Sequence, residues 1–475
     1  MSHSADSQSA ARDPWSMRAL LLLAVPLIIA NSLQALIGVA DAWFVARISA
    51  EAIAGLGAQT FLNLAVFLAL GGIGFAVQTI VAQAMGAGDA FKAARQLRCG
   101  LIGAALTAPV FAVLALVGSS LFSALGIAAG AIAPAAEYWG PRMAGGPVVV
   151  AMFAATSFLA GQGRTGAALA ASATGALANV PLNELFIFTL DGGIAGAAWA
   201  SSAATAVGLA HALWLARSNL AAAAPHAPWL ADLRLLARLG IPIGLSGAVD
   251  VLGIAAFQAM MARLGVAEAA ATQGLLTLTG LAFWPALGVA MASTTLVGNA
   301  WGAGNHAALR RVSLNTLVLM TVWMGASGVA ILAWGGAAGT WLLGPSNNEA
   351  VLLMTSLLVV VALYQVFDAL NLGCAFVLRG INDADWAAVV GAIATFPVFL
   401  PAVALLAYPT HSMAPFPAAG LGVAGGWYAA AGYSVLLAVA FGGRLWFKLA
   451  QRPTPAMLEL LPAARAAAVA MQAPR

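Results

Sequence analysis

The chain has 475 residues, of which 62% are hydrophobic and 8% charged, with 20 Lys and Arg against 16 Asp and Glu. An average soluble domain carries about a quarter charged residues, so a water-solvated body of this size is excluded and most of the surface is expected to face lipid. Weak alternation of apolar and polar residues argues against an outer-membrane barrel.

A bilayer core about 30 Å thick takes about 20 apolar residues per helix. Twelve such runs are predicted, at 18–42, 55–83, 94–118, 132–158, 166–189, 193–216, 235–259, 270–298, 310–335, 350–378, 386–408 and 419–446. The polar first 16 residues and the long apolar run after them, which has no small-residue cleavage site, read as a tail ahead of an uncleaved insertion signal. The expected organisation is a cytoplasmic tail (1–17), an N-lobe of six spans (18–216), a cytoplasmic linker (217–234) where Pro, Asn, His and charge cluster, a C-lobe of six spans (235–447) and a cytoplasmic tail (448–475). After about residue 450 a surface helix followed by disorder is expected.

The basic residues test this topology. Of the 20 Lys and Arg, 17 fall on the side of the N-terminus, only Arg47 and Arg263 fall opposite, and Arg142 lies inside a span. Such a bias puts both termini of a multi-pass membrane protein in the cytoplasm and requires an even number of spans. The net charge of +4 therefore reports orientation, and no nucleic-acid partner is expected. Cys99 and Cys374 lie far apart near span ends and read as structural thiols.

The two halves repeat with an offset of 216 residues: Pro26 matches Pro242, Arg47 matches Arg263, Gly72 matches Gly288, Thr79 matches Thr295, and VAQAMGAGDAFKAAR (81–95) matches VGNAWGAGNHAALRR (297–311). Six spans separate the mates, so the repeat is parallel, with a pseudo-twofold along the membrane normal. GAGD (86–89) and GAGN (302–305) lack the preceding strand and the GK[ST] ending of a phosphate loop and read as tight turns.

Acids inside spans are expensive and default to a functional reading. Asp41 lies near the end of the first span, Asp250 mid-span in the seventh and Asp368 mid-span in the tenth. The alternative is a helix-capping or interfacial carboxylate, which suits Asp41 better than the other two. Desolvation disfavours the ionised carboxylate while a bound cation favours it, so a proton and a cation compete at such a site. Tyr364 shares a helix face with Asp368, and Asn371 lies three residues further on. Asn179 and Asn183 are four apart with Pro181 between them, offering amide oxygens and a freed carbonyl to a hard cation beside Asp41, or else gluing helices by hydrogen bonding. Glu184 points about 100° away from Asn183 and reads as interfacial. At the repeat offset Asp41 meets Phe257 and Asp250 meets Gln34, so the halves share scaffold but not polar chemistry. The five histidines lie in tails, loops or near a span end and support no metal site or proton relay.

Pro26 with Asp41, VAQAMGAGD and its repeat VGNAWGAGN, ANVPLN in the fifth span, Pro242 with Asp250, and Tyr364-x3-Asp368 followed by LRGINDAD resemble the multidrug and toxic compound extrusion (MATE) transporters, over about residues 20–445. The resemblance implies an all-α integral membrane fold of 12 transmembrane helices in two six-helix bundles facing each other in a V. It also implies export of amphipathic, mostly cationic small molecules by antiport with H+ or Na+ through alternating access, with no other cofactor. Asp41, Asn179 and Asn183 then look like the family's N-lobe cation positions. Asp250, Tyr364 and Asp368 look like the C-lobe positions of the NorM-type bacterial branch, which usually has Glu where Asp250 stands. A Na+ site is expected at one of these two sets. Substrates and membrane lipid are the expected partners of a monomer. A lipid-linked oligosaccharide flippase of the same superfamily is the alternative, but its cavity calls for several bases where only Arg142 is a candidate. No catalytic constellation points to an enzyme.

Overall fold

A computed structural model describes residues 13–127, 129–222, 229–344, 347–409 and 419–451. The surface helix and disorder expected after residue 450, and most of the N-terminal tail, lie outside them. The described chain is almost entirely helical, and we number its helical segments by the twelve runs of the sequence. They are α1 (Met17–Ala46), α2 (Ala50–Gly86), α3 (Ala90–Leu106, continuing as Ala108–Leu116), α4 (Ala129–Ala144 with Gly146–Gly161), α5 (Thr165–Asn183 running into a π-helical turn, Glu184–Thr189) and α6 (Gly193–Leu215). The second half comprises α7 (Trp229–Leu264), α8 (Val266–Gly302), α9 (His306–Leu343), α10 (Asn348–Ser356 with Leu358–Gly380), α11 (Ala384–Ile393, a π-helical turn Ala394–Phe399, and Leu400–Ala407) and α12 (Gly422–Ala450).

Ten of these helices are long and apolar enough to cross a membrane, and α4, bent by 51° between its two pieces, makes eleven. The remaining one is α5, whose apolar run is interrupted by Asn179, Pro181, Asn183 and Glu184. Each of the twelve runs read from the sequence is thus helical. The breaks have local causes: Gly145 precedes Gly146-Pro147 in α4, and Pro109 stands in the first turn of the second piece of α3. Several helices overrun their apolar segments, α7 starting at Trp229 and α9 reaching Leu343. Capping residues end a helix, not the edge of the lipid.

The matched GAGD and GAGN turns are two copies of one helix-terminating device. Gly88 (φ 76°) and Gly304 (φ 66°) take the left-handed conformation that glycine adopts without steric cost. The next backbone N–H then closes the turn in both copies, Asp89 donating to Ala84 O at 2.8 Å and Asn305 to Ala300 O at 2.9 Å. Asp89 Oδ1 accepts from Lys92 N at 2.8 Å, capping α3. These motifs end helices.

The described residues form two compact units. One comprises 13–24, 249–293 and 306–451, and the other 25–222, 229–248 and 294–305. In the first, Phe257, Met261, Leu275, Met354 and Trp427 anchor the core, and Asp383 at the head of α11 takes two bonds from Arg444 (2.7 and 3.0 Å) and an ion pair from Lys448 (3.1 Å). In the second, Phe111, Phe122, Trp139 and Val150 form a core between α3 and α4, and Arg95 pairs with Asp232 at 3.0 Å. Cys99 and Cys374 are free and buried.

Small residues let helices in the second unit touch backbone to backbone. A Cβ added to Gly86 would lie 2.0 Å from Asn299 O, and one on its repeat mate Gly302 would lie 2.0 Å from Gln83 O. Gln83 and Asn299 are themselves repeat mates. A Cβ on Gly72 would meet Gly240 O at 2.2 Å, and one on Gly244 would meet Ala69 O at 2.2 Å, where α2 and α7 cross. Side-chain bonds finish the seam: Gln78 Nε2 donates to Thr295 Oγ1 at 3.0 Å, and that hydroxyl donates to Ala160 O at 3.1 Å. Gly86→Ala should cost about 1–3 kcal/mol through overpacking, seen as a lower unfolding temperature of the purified protein. Gly57→Ala on the same helix, with nothing within 4 Å of the new methyl, should leave it unchanged.

Candidate functional site

The second unit gathers Asp41, Asn179 and Asn183, as their spacing suggested. Asp41, in the last part of α1, is buried, and Asn179 and Asn183 present one face of α5 to it with their side chains fully enclosed. Asn183 Nδ2 donates to Asp41 Oδ1 at 2.7 Å and to Asn179 Oδ1 at 3.0 Å. Ser201 Oγ of α6 donates to Asp41 Oδ2 at 2.7 Å, and Asn179 Nδ2 lies 3.4 Å from the same hydroxyl. Both carboxylate oxygens are therefore satisfied by neutral donors, and among the described residues Asp41 makes no ion pair. Asn183 Oδ1 is a buried oxygen that accepts nothing. Oxygens are the donors a hard monovalent cation takes, so the set fits either a cation or a proton on Asp41. Among the described residues no three His, Cys, Asp or Glu cluster as metal ligands, so any cation here would rest on one carboxylate and amide and hydroxyl oxygens.

Tyr138 of α4 lies beside Ser201 and within electrostatic reach of both Asp41 and Arg142. Arg142, one turn further along α4, places its guanidinium 4.8 Å from the Phe67 ring centroid. Glu184 departs from the cluster as expected. It is exposed and lies 3.9 Å from Arg47.

The first unit holds Asp250, Tyr364 and Asp368. Tyr364 and Asp368 stand one turn apart on α10, both half-buried, and Asp250 of α7 is accessible. Asp368 lies beside Asn371 on α10, and Tyr364 faces Ser434 of α12, whose buried hydroxyl makes no hydrogen bond. Asp250 lies within electrostatic reach of Asp368, of Tyr433 and of Arg379 in the last turn of α10. Tyr433 is held by Thr395 at 2.9 Å and stacks on Phe399 with ring centroids 4.8 Å apart. The three residues named from the sequence thus share one polar region. Asp250 is unlike Asp41, because among the described residues no hydrogen bond reaches it, whereas Asp41 takes one on each oxygen.

Ser201, Tyr138, Tyr433 and Arg379 were not singled out from the sequence. One of two adjacent serines in an Ala-rich helix carries no periodic signal, and Arg379 reads as one more basic residue at a span end. Arg379 is the one that had a signal, since a base in the final turn of the helix bearing Asp368 is placed to meet an acid from a neighbouring span.

Residues 26–185 and 242–404 match the MatE family pattern. The chain is 30% identical over 412 residues to the probable multidrug resistance protein NorM of Pseudomonas syringae pv. tomato, covering 82% of this chain and 87% of that one. It is 28% identical over 443 residues to the protein of the same description in Deinococcus radiodurans, covering 91% and 95%. Its fold superposes with a TM-score of 0.80, at 21% identity, on a structure described as the outward-facing conformation of a multidrug resistance MATE family transporter, covering 91% of this chain and 96% of that one.

Removing one donor from a buried carboxylate leaves its charge under-solvated, at a cost of about 1–3 kcal/mol. Ser201→Ala should therefore lower the unfolding temperature measurably, while Ser201→Thr, which keeps the hydroxyl, should restore most of it.

Proposed function

The chain belongs to the MatE family, and from that premise we propose that it is a secondary active multidrug efflux transporter of the bacterial inner membrane, exporting amphipathic organic compounds, mostly cations, by antiport with H+ or Na+. The observation that carries this reading is the buried Asp41 carboxylate, held by Asn183 and Ser201 at 2.7 Å each and in no ion pair among the described residues. A carboxylate inside a span without a counter-ion is costly unless a mobile cation or proton visits it. The matching NorM relatives and the paired repeat support the same reading.

In the proposed cycle Asp41, Asn179 and Asn183 bind the coupling ion in the N-lobe (18–216), and Asp250, Tyr364 and Asp368 bind ion or substrate in the C-lobe (235–447). Each ligand shifts an inward/outward equilibrium only by its differential affinity for the two states. Ion entry from outside and drug entry from inside then drive opposite shifts, which is exchange. The protein works as a monomer with both termini cytoplasmic, and no enzyme chemistry enters the cycle.

Asp41→Asn keeps the shape and removes the charge. In inverted vesicles Asp41→Asn and Asp368→Asn should each slow ethidium efflux at least about tenfold, the loss expected when a charged contact worth about 1.4 kcal/mol is removed. Wild-type rates for both would overturn the assignment. Counterflow of the dye in proteoliposomes under a pH gradient alone, and then a Na+ gradient alone, identifies the coupling ion. Stimulation by neither would overturn antiport.

A further inference from the structure

Arg47 is one of two basic residues opposite the N-terminal side, and its surroundings differ from those of its repeat mate. Its guanidinium carbon lies 4.9 Å from the Trp43 ring centroid and 4.9 Å from that of Phe188. The Glu184 carboxylate stands 3.9 Å from Nη1. Two aromatic faces and one carboxylate thus enclose a planar organic cation, the chain's own. The walls are braced from behind, since buried Phe44 meets Trp43 edge-on at 4.9 Å and Phe188 at 6.4 Å. The π-helical turn of α5 sets Glu184 and Phe188 about one turn apart and facing Arg47.

A basic residue that served only topology would need none of this. Arg263, at the equivalent place in the second half, meets Ala259 where Arg47 has Trp43 at the repeat offset. Among the described residues no aromatic ring stacks on its guanidinium, although Tyr408 lies within electrostatic reach of it. A membrane-interface anchor accounts for Trp43 alone, but not for a second ring and a carboxylate converging on one guanidinium. Aromatic faces with a nearby acid are the chemistry that recognises organic cations. Arg47 and Glu184 are both about half exposed, so the cage is open to exchange. It also adjoins the Asp41 cluster, because Glu184 follows Asn183 and Trp43 lies two residues beyond Asp41.

We propose that Trp43, Phe188 and Glu184 form a second binding site for planar aromatic cations, with the Arg47 guanidinium as a built-in competitor that occupies the cage when no cation is bound. The inference rests on the efflux reading for its ligand class, and it gives a leaving cation a weak site beside the Asp41 cluster. Displacement of Arg47 by the arriving cation, and its return, would keep occupancy low enough for release.

The test is equilibrium binding of ethidium to the purified protein in detergent, read by fluorescence anisotropy. Arg47→Gln vacates the cage and leaves the orienting charge bias stronger, so the variant should insert correctly. Its ethidium affinity should rise about tenfold, a gain in line with stacking on two rings beside a carboxylate. Arg47→Lys, which keeps the charge but lacks the flat guanidinium, should give a smaller gain. Adding Trp43→Ala or Glu184→Gln to Arg47→Gln should return the affinity to the wild-type value. Unchanged or weaker binding by Arg47→Gln, or a gain that survives both second substitutions, would overturn the proposal. Gradient-driven ethidium export by wild-type proteoliposomes reads the efflux function separately, so loss of one result does not stand in for loss of the other.

Discussion

Backbone-to-backbone contact between α2, α7 and the end of α8 is the constraint on which the other features rest. Lipid tails are as apolar as leucine, so burial of greasy surface does not by itself hold one span against another. Close approach supplies dispersion contacts and lets short polar side chains bridge helices. The chain uses its 51 glycines accordingly. At Gly72, Gly86, Gly244 and Gly302 a single methyl would collide with a neighbouring carbonyl or main-chain nitrogen. A core packed this closely fixes side-chain positions to a fraction of an ångström, and a carboxylate solvated by two neutral donors needs that precision.

Asp41 and Asp250 show two ways of keeping an acid inside a membrane protein. Asp41 is enclosed, and its solvation shell is made of side chains: the Asn183 amide on one oxygen, the Ser201 hydroxyl on the other, and Asn179 orienting both donors. Asp250 is accessible and answers to charges further away, Arg379 and Asp368. An enclosed acid with fixed donors discriminates between small ions by geometry, because only something small enough to share its oxygens can enter. An accessible acid within electrostatic reach of Tyr364 and Tyr433 responds to charge and to neighbouring hydroxyls. The two regions therefore differ in chemistry, in keeping with the lack of any acid repeated at the 216-residue offset.

What could be read in the sequence followed from how strongly each physical requirement marks the residues. A span demands about 20 apolar residues, so all twelve helical segments were visible, even α5, whose polar interruptions keep it from qualifying on hydropathy. Asn179 and Asn183 were visible because amides four apart in an apolar helix are rare and must share a face. The helix-ending role of GAGD was visible because glycine in the left-handed region leaves few alternatives. Ser201 was not, since serine is cheap in a span when it bonds back to its own helix, and nothing in ANVPLN or GIAGAAWASS marks which serine turns toward Asp41. The starts and ends of α7 and α9 were misjudged for a related reason: hydropathy marks the lipid boundary, whereas helices stop at caps such as Gly344 (φ 81°).

The repeat also shows which parts of a duplicated membrane protein are free to diverge. Gly86 packs on Asn299 while Gly302 packs on Gln83, so each half supplies both the gap and the filler of the other's contact. A side chain gained at either glycine breaks a contact that its mate's neighbour cannot repair, and the pair is held to glycine by mutual sterics. The same holds for Gly88 and Gly304, whose backbone angle few other residues tolerate. Side chains around the polar regions are under no such reciprocal demand. A carboxylate can be gained at Asp41 and omitted at Phe257, and Trp43 and Phe188 can flank Arg47 while Ala259 stands beside Arg263 at the repeat mate of Trp43. Symmetry survives where the two copies touch each other and is lost at the buried acids, whose polar neighbours each half supplies for itself.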